Sequence, residues 1–185
     1  AIDGYAIFPK GKLIFPKIEI DFPGWVGTIS ENEDKPLLFG SLNKIYWWDD
    51  KKSELRNHIL AERVRSIAWA KNGIWAGTLS GLFFFDTLDS SIDRVMDIAL
   101  QRRTEAIRST ESIDFFGTMG NGLVIKNRDT IIKVSMSDGL SSNLVHALFT
   151  ENDSIIWVAT NNGLNRLCIF ADHIQIDIYN ETDGI

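Results

Sequence analysis

The stretch DGLSSNLVHALFTENDSIIWVATNNGLNRL, residues 138–167, sets out a turn, a strand, a hairpin and two further strands within thirty residues. Asp138-Gly139 is a turn dipeptide, because Asp caps the turn and Gly takes the positive φ. Val145 and Leu148 stand three apart, so on a strand they lie on opposite faces. A strand apolar on both faces is covered on both sides. Ile156-Trp157-Val158 runs apolar into a small residue, Ala159, followed by Thr160. Asn161-Asn162-Gly163 is a polar turn, and Leu164 opens the next apolar run.

The same plan occurs three more times upstream. LLFGSLNKIYWWD (37–49), IWAGTLSGLFFFD (74–86) and DFFGTMGNGLVIK (114–126) align without gaps on IWVATNNGLNRLC (156–168). The small residue is Gly40, Gly77, Gly117 and Ala159, and the copies are spaced by 37, 40 and 42 residues. A partial copy opens the chain at Gly4-Tyr5-Ala6-Ile7-Phe8 and Lys12-Leu13-Ile14-Phe15. A period near 40 built from short strands is the signature of a four-stranded propeller blade. Long segments of 3.6 periodicity, which a helical array would need, are absent. The reading is therefore all-β: a β-propeller fragment of four to five antiparallel four-stranded blades of about 41 residues. The expected divisions are a half blade at 1–23, blades at 24–63, 64–103 and 104–144, and a blade at 145–185 that ends on the start of the next. The innermost strands are expected at 25–30, 64–69, 104–109 and 145–150. Fourth strands are expected at 12–20, loosely over 88–100, and at 130–136 and 173–179. Such an array predicts a piece of a longer polypeptide, its remaining blades supplied by that chain or by a second copy.

Composition agrees. Of 185 residues, 44% are hydrophobic and 24% charged, which excludes a disordered tail. The net charge of −6, with no basic cluster, argues against nucleic acid as a partner. No apolar run approaches the roughly 20 residues of a membrane span, so no membrane contact is expected of this segment. The single cysteine, Cys168, reads as a packing residue.

Residues 138–167 resemble the two-component-regulator propeller repeat, whose pattern is roughly DGLPSNxVxxIxxDxxGxLWIGTxxGLxR. The matching residues are Asp138, Gly139, Leu140, Ser142, Asn143, Val145, Leu148, Trp157, Thr160, Gly163, Leu164 and Arg166. Ser141 stands where the pattern has Pro, and Ala159 where it has Gly. The first two complete repeats lack the Asp-Gly-Leu opening. The resemblance implies the extracytoplasmic, periplasmic sensor region of a larger inner-membrane-anchored hybrid histidine kinase of the Bacteroidetes type. It further implies an oligosaccharide ligand, signal transduction by phosphorelay, and no catalysis or cofactor in this segment. A homodimer is a further expectation, from the bare blade faces. A propeller-type polysaccharide lyase or hydrolase, or a protein-interaction scaffold, is the competing reading.

Candidate ligand residues follow from the repeat. Aligning the inner strands puts Arg65, Glu105 and His146 at one blade position, with Gly27 in the first blade. They would form either a ligand-holding polar ring or a hydrated channel wall with internal charge pairing. Trp47 and Trp48 must face opposite ways on a strand. With Trp48 as the outward one, its ring offers a platform for a sugar; burial against a neighbouring blade is the alternative. Asn121, Asn143, Asn161 and Asn162 lie in turns on one face. Their amides suit sugar hydroxyls and equally suit the turns themselves. The three histidines, His58, His146 and His173, have no metal-ligand spacing, and no catalytic carboxylate pair can be assigned.

Overall fold

The computed structural model describes residues 26–32, 35–49, 52, 54–128 and 130–184. The expected half blade at 1–23 lies outside the described residues, as do Trp25 and Ile185. The described residues form four antiparallel four-stranded sheets. The first holds β1 (Val26–Asn32), β2 (Lys35–Ser41), β3 (Lys44–Asp49) and β4 (Glu54–Ile59). The second holds β5 (Val64–Trp69), β6 (Gly73–Thr78), β7 (Leu82–Asp86) and β8 (Ile92–Arg94). The third holds β9 (Thr104–Ser109), β10 (Ile113–Thr118), β11 (Leu123–Asn127) and β12 (Thr130–Val134). The fourth holds β13 (Val145–Asn152), β14 (Ile155–Thr160), β15 (Gly163–Ile169) and β16 (Ile174–Tyr179). Each sheet is an up-and-down meander in sequence order. The first strands β1, β5, β9 and β13 lie side by side, which is the arrangement of propeller blades around an axis.

The apolar residues divide into three buried clusters, one at each junction of successive sheets. Leu38 and Ile45 meet Val64, Ile67, Ile74 and Phe85. Trp75 and Leu82 meet Ile107, Phe116 and Val124. Phe115, Leu123 and Val134 meet Val145, Ile156 and Leu167. Neighbouring residues thus serve opposite junctions, Phe115 one and Phe116 the next, because strand side chains alternate. This is why the second strand of each repeat is apolar at consecutive positions rather than at every other one.

Three local features depart from the expected pattern or sharpen it. The loose fourth strand over 88–100 shrinks to Ile92–Arg94, and a 3-10 turn, Ile98–Leu100, follows. Asp97 caps that turn by accepting a hydrogen bond from the Ala99 N–H at 2.8 Å. After β12 the chain makes another 3-10 turn, Met136–Asp138. There the Asp138 carboxylate accepts from the Ser135 N–H at 2.9 Å and its hydroxyl at 2.7 Å, and Gly139 takes φ 104°. Asn180, Asp183 and Gly184 repeat that geometry, with the Asn180 N–H donating to Asp183 at 2.9 Å and Gly184 at φ 86°. Finally, each first strand carries a β-bulge near its start. Register slips between Val26 and Thr28, Val64 and Ser66, Thr104 and Ala106, and Val145 and Ala147. The residues left out of the ladder are Gly27, Arg65, Glu105 and His146.

Candidate functional site

A bulged residue loses its ladder partner and its side chain is re-aimed. The position aligned across the four repeats is therefore also the position the backbone singles out. Arg65 reaches across the sheet junction to Glu105: its Nη2 pairs with Oε1, and its Nε donates to Oε2 at 3.3 Å. Arg103 Nε donates to the same Oε2 at 2.6 Å. His146 Nε2 contacts Asn161 Oδ1 within its own sheet, and Gly27 brings no side chain. Burial alone would raise the Glu105 carboxyl, but hydrogen bonds and charge from Arg103 and Arg65 hold it down to about 2. A carboxyl depressed in the folded state stabilises the fold above the ordinary carboxylate range and loses that contribution as pH falls toward its folded value. Glu105→Gln is accordingly expected to lower stability at pH 7 by about 1–3 kcal/mol. The gap to the unsubstituted chain should narrow between pH 4.5 and about 2, as read by urea unfolding across that window. A gap that stays constant down to pH 2 would contradict the pairing.

The side chains of Asn121, Asn143 and Asn162 bind backbone. Asn121 Nδ2 donates to the Ala99 carbonyl at 3.0 Å. Asn143 Oδ1 accepts from the Met136 N–H at 2.8 Å, while its own carbonyl accepts from the N–H groups of Gly120 at 2.9 Å and Gly122 at 3.0 Å. Asn162 Nδ2 donates to the Ser141 carbonyl at 3.3 Å, and the Asn161 N–H to the Leu144 carbonyl at 3.3 Å. These contacts fasten the turn between second and third strands to the connections between sheets. Of the tryptophan pair, Trp47 packs on Phe85 of the next sheet with centroids 5.3 Å apart. Trp48, on the other face of β3, is half-buried.

The first strands meet again at their far ends, where sequence reasoning placed nothing. There β1, β5, β9 and β13 border a half-open cavity of about 320 Å³, lined by Ile29, Ser30, Trp69, Arg108, Phe149 and Thr150 among others. Phe149 is 61% exposed and Ile29 61% exposed, so two apolar side chains stand in solvent at its wall. The Trp69 indole is fixed from behind: Nε1 donates to the Pro36 carbonyl at 2.7 Å, and Lys35 Nζ sits 5.2 Å from the ring centroid. Ser30, Ala68, Arg108 and Phe149 occupy equivalent places in the four repeats. A signal was available in that divergence, since a position that only fills a core would stay apolar throughout. Among the described residues no three His, Cys, Asp or Glu side chains group as a metal site, and no helix is long and apolar enough to cross a membrane.

Sheet order, junction clusters and central cavity can be set beside known proteins. The extracellular domain of a hybrid two-component system from B. thetaiotaomicron superposes with a TM-score of 0.73 at 22% identity, over 98% of this chain and 26% of that one. A second such domain from the same organism gives a TM-score of 0.66 at 15% identity, over 83% of this chain and 21% of that one. This chain has the propeller fold of those extracellular domains. In sequence, histidine kinase P4 of Formosa agariphila is 22% identical over 166 residues, which is 78% of this chain and 12% of that protein. The chain thus spans about a quarter or less of the length of these three proteins. No family model matches it.

Proposed function

We propose that this chain is a ligand-sensing propeller segment of an extracytoplasmic two-component receptor, and that its ligand is an oligosaccharide. The observation that carries this reading is the cavity, where four repeats converge and place an exposed aromatic ring, an indole, a guanidinium and hydroxyls on one concave wall. Such a mixture suits a sugar, whose C–H faces stack on aromatic rings while its hydroxyls seek donors and acceptors. The likeness to extracellular domains of hybrid two-component systems and to a histidine kinase supports the receptor context. In that context the intact protein is anchored in the inner membrane and carries a histidine kinase, and this segment transmits binding rather than catalysing a reaction. Binding acts by favouring one arrangement of a receptor dimer, and it shifts that balance only by its differential affinity for the two arrangements.

The test is a thermal-shift screen of the chain against neutral and acidic oligosaccharides. A ligand present at one hundred times its Kd adds about 2.7 kcal/mol, which raises Tm by roughly 5–10 °C in a chain of this size. Phe149→Ala, at an exposed position, should leave the unliganded Tm within about 1–2 °C. It should weaken binding about tenfold, the loss of one aromatic anchor. A screen with no hit, or a hit that Phe149→Ala binds equally well, would overturn the reading.

A further inference from the structure

The wall of the cavity holds a cation without an acidic partner. Arg108 Nη1 donates to the Ile107 carbonyl at 2.9 Å. Among the described residues no carboxylate lies within ion-pair distance of its guanidinium. Four arginines of the fold are paired with carboxylates: Arg65 and Arg103 share Glu105, Arg56 pairs with Asp49, and Arg166 with Asp177. Trp69 and Phe149 line the same cavity as Arg108, and Lys35 Nζ, outside that lining, sits 5.2 Å from the Trp69 ring centroid. Lys35 donates to the Ala70 carbonyl at 2.5 Å, and burial lowers its pKa. Glu31 is the one carboxylate in the lining, and it makes no ion pair with Arg108. The lining thus holds one cation, Arg108, and one carboxylate, Glu31, not paired with each other, in a chain whose net charge is −6.

A guanidinium presents two parallel N–H groups that match a carboxylate or a sulfate ester, and such bonds are roughly twice as strong as neutral ones. The volume of about 320 Å³ is at the small end of ligand pockets, enough for a short saccharide rather than a folded partner. We propose that the cavity selects an acidic oligosaccharide, with Arg108 taking its carboxylate or sulfate group and Phe149 stacking on the adjoining ring. This rests on the reading of the cavity as the ligand site. Arg108 sets selectivity, and Phe149 supplies affinity common to charged and neutral sugars.

The experiment is titration calorimetry of the intact chain with matched pairs: oligogalacturonate against its methyl ester, and a sulfated galactan oligosaccharide against the desulfated form. The acidic member of one pair is expected to bind at least tenfold more tightly than its neutral partner, and to weaken as salt is raised. The pair that responds tells carboxylate from sulfate. Arg108→Ala should remove the tenfold preference, costing the acidic member more affinity than the neutral one, and Arg108→Lys should keep part of it. Equal affinity for both members of each pair, or an acidic preference that survives Arg108→Ala, would overturn the selectivity. Neutral saccharides binding in a Phe149-dependent way, with no acidic preference, would overturn it while leaving the cavity as the ligand site. No binding by any saccharide would defeat both.

Discussion

Replacing Phe116 by alanine is expected to destabilise the chain by about 3–5 kcal/mol, a large share of the 5–15 kcal/mol typical of a domain. Phe116 is fully buried at the junction of the second and third sheets. Its ring meets Trp75 edge-on, with centroids 5.2 Å apart and planes at 84°. The truncation removes that aromatic pair, opens a cavity between two sheets and leaves Trp75 without its partner on that side. With the backbone of β10 held by ladders to β9 and β11, the walls cannot collapse to fill the space. In thermal unfolding the shift should be on the order of 10 °C. A Tm unchanged within about 2 °C would show that the sheet junctions are not where the stability resides.

The second large effect is expected at Gly77. A Cβ built there would stand 2.3 Å from Ser66 Oγ and 2.7 Å from the Thr104 carbonyl oxygen. Those two atoms are themselves joined, Ser66 Oγ donating to Thr104 O at 3.1 Å across the junction. Gly77→Ala must therefore push apart two sheets or break that bond. Overpacking costs about 1–3 kcal/mol, and the lost buried hydrogen bond about 1 kcal/mol more. Gly40 and Gly117 are in the same position: their Cβ atoms would fall 2.6 Å from Val64 Cγ1 and 2.6 Å from Val145 Cγ1. In each case one obstacle is the first residue of the next blade's inner strand, Val64, Thr104 or Val145, joined at Gly40 by Thr28 Cγ2 of its own sheet at 2.5 Å and at Gly77 by Ser66. Ala159 is the aligned residue of the fourth sheet. Among the described residues no further inner strand follows it, so its methyl group meets no such obstacle. Ala159→Gly should accordingly cost no more than about 1 kcal/mol. The pair of variants, compared by urea unfolding, checks the explanation; equal and small losses at both sites would remove it.

Much of this architecture was legible because propeller blades repeat. The gapless alignment of Gly40, Gly77, Gly117 and Ala159 placed the second strands, and the three-residue spacing of Val64 with Ile67 and Val145 with Leu148 marked strands covered on both faces. The bulges were invisible for the same reason. Each of the four described sheets carries one at the same place, so the period is unchanged by them. Aligning Arg65, Glu105 and His146 identified the position without revealing why it is special. What alignment also hid was the cavity. Its wall is built from the residues in which the blades differ, Ser30, Ala68, Arg108 and Phe149, and similarity was the signal being followed. Trp69 was counted only as an inner-strand residue. Its role depends on Pro36 and Lys35, which lie a full blade away in sequence and arrive only through folding. The asparagines drew attention as a polar face; Asn121, Asn143 and Asn162 hold backbone groups through their amides and Asn161 meets His146, partners that composition does not reveal.

The most direct measurement is a map of amide chemical-shift changes in the isotope-labelled chain as a bound oligosaccharide is titrated. The account predicts that the largest changes fall on Ser30, Trp69, Arg108, Phe149 and Thr150, at the far ends of the four inner strands. Changes centred instead on Arg65, Glu105, His146 and the turn asparagines, or on a single outer strand, would contradict it.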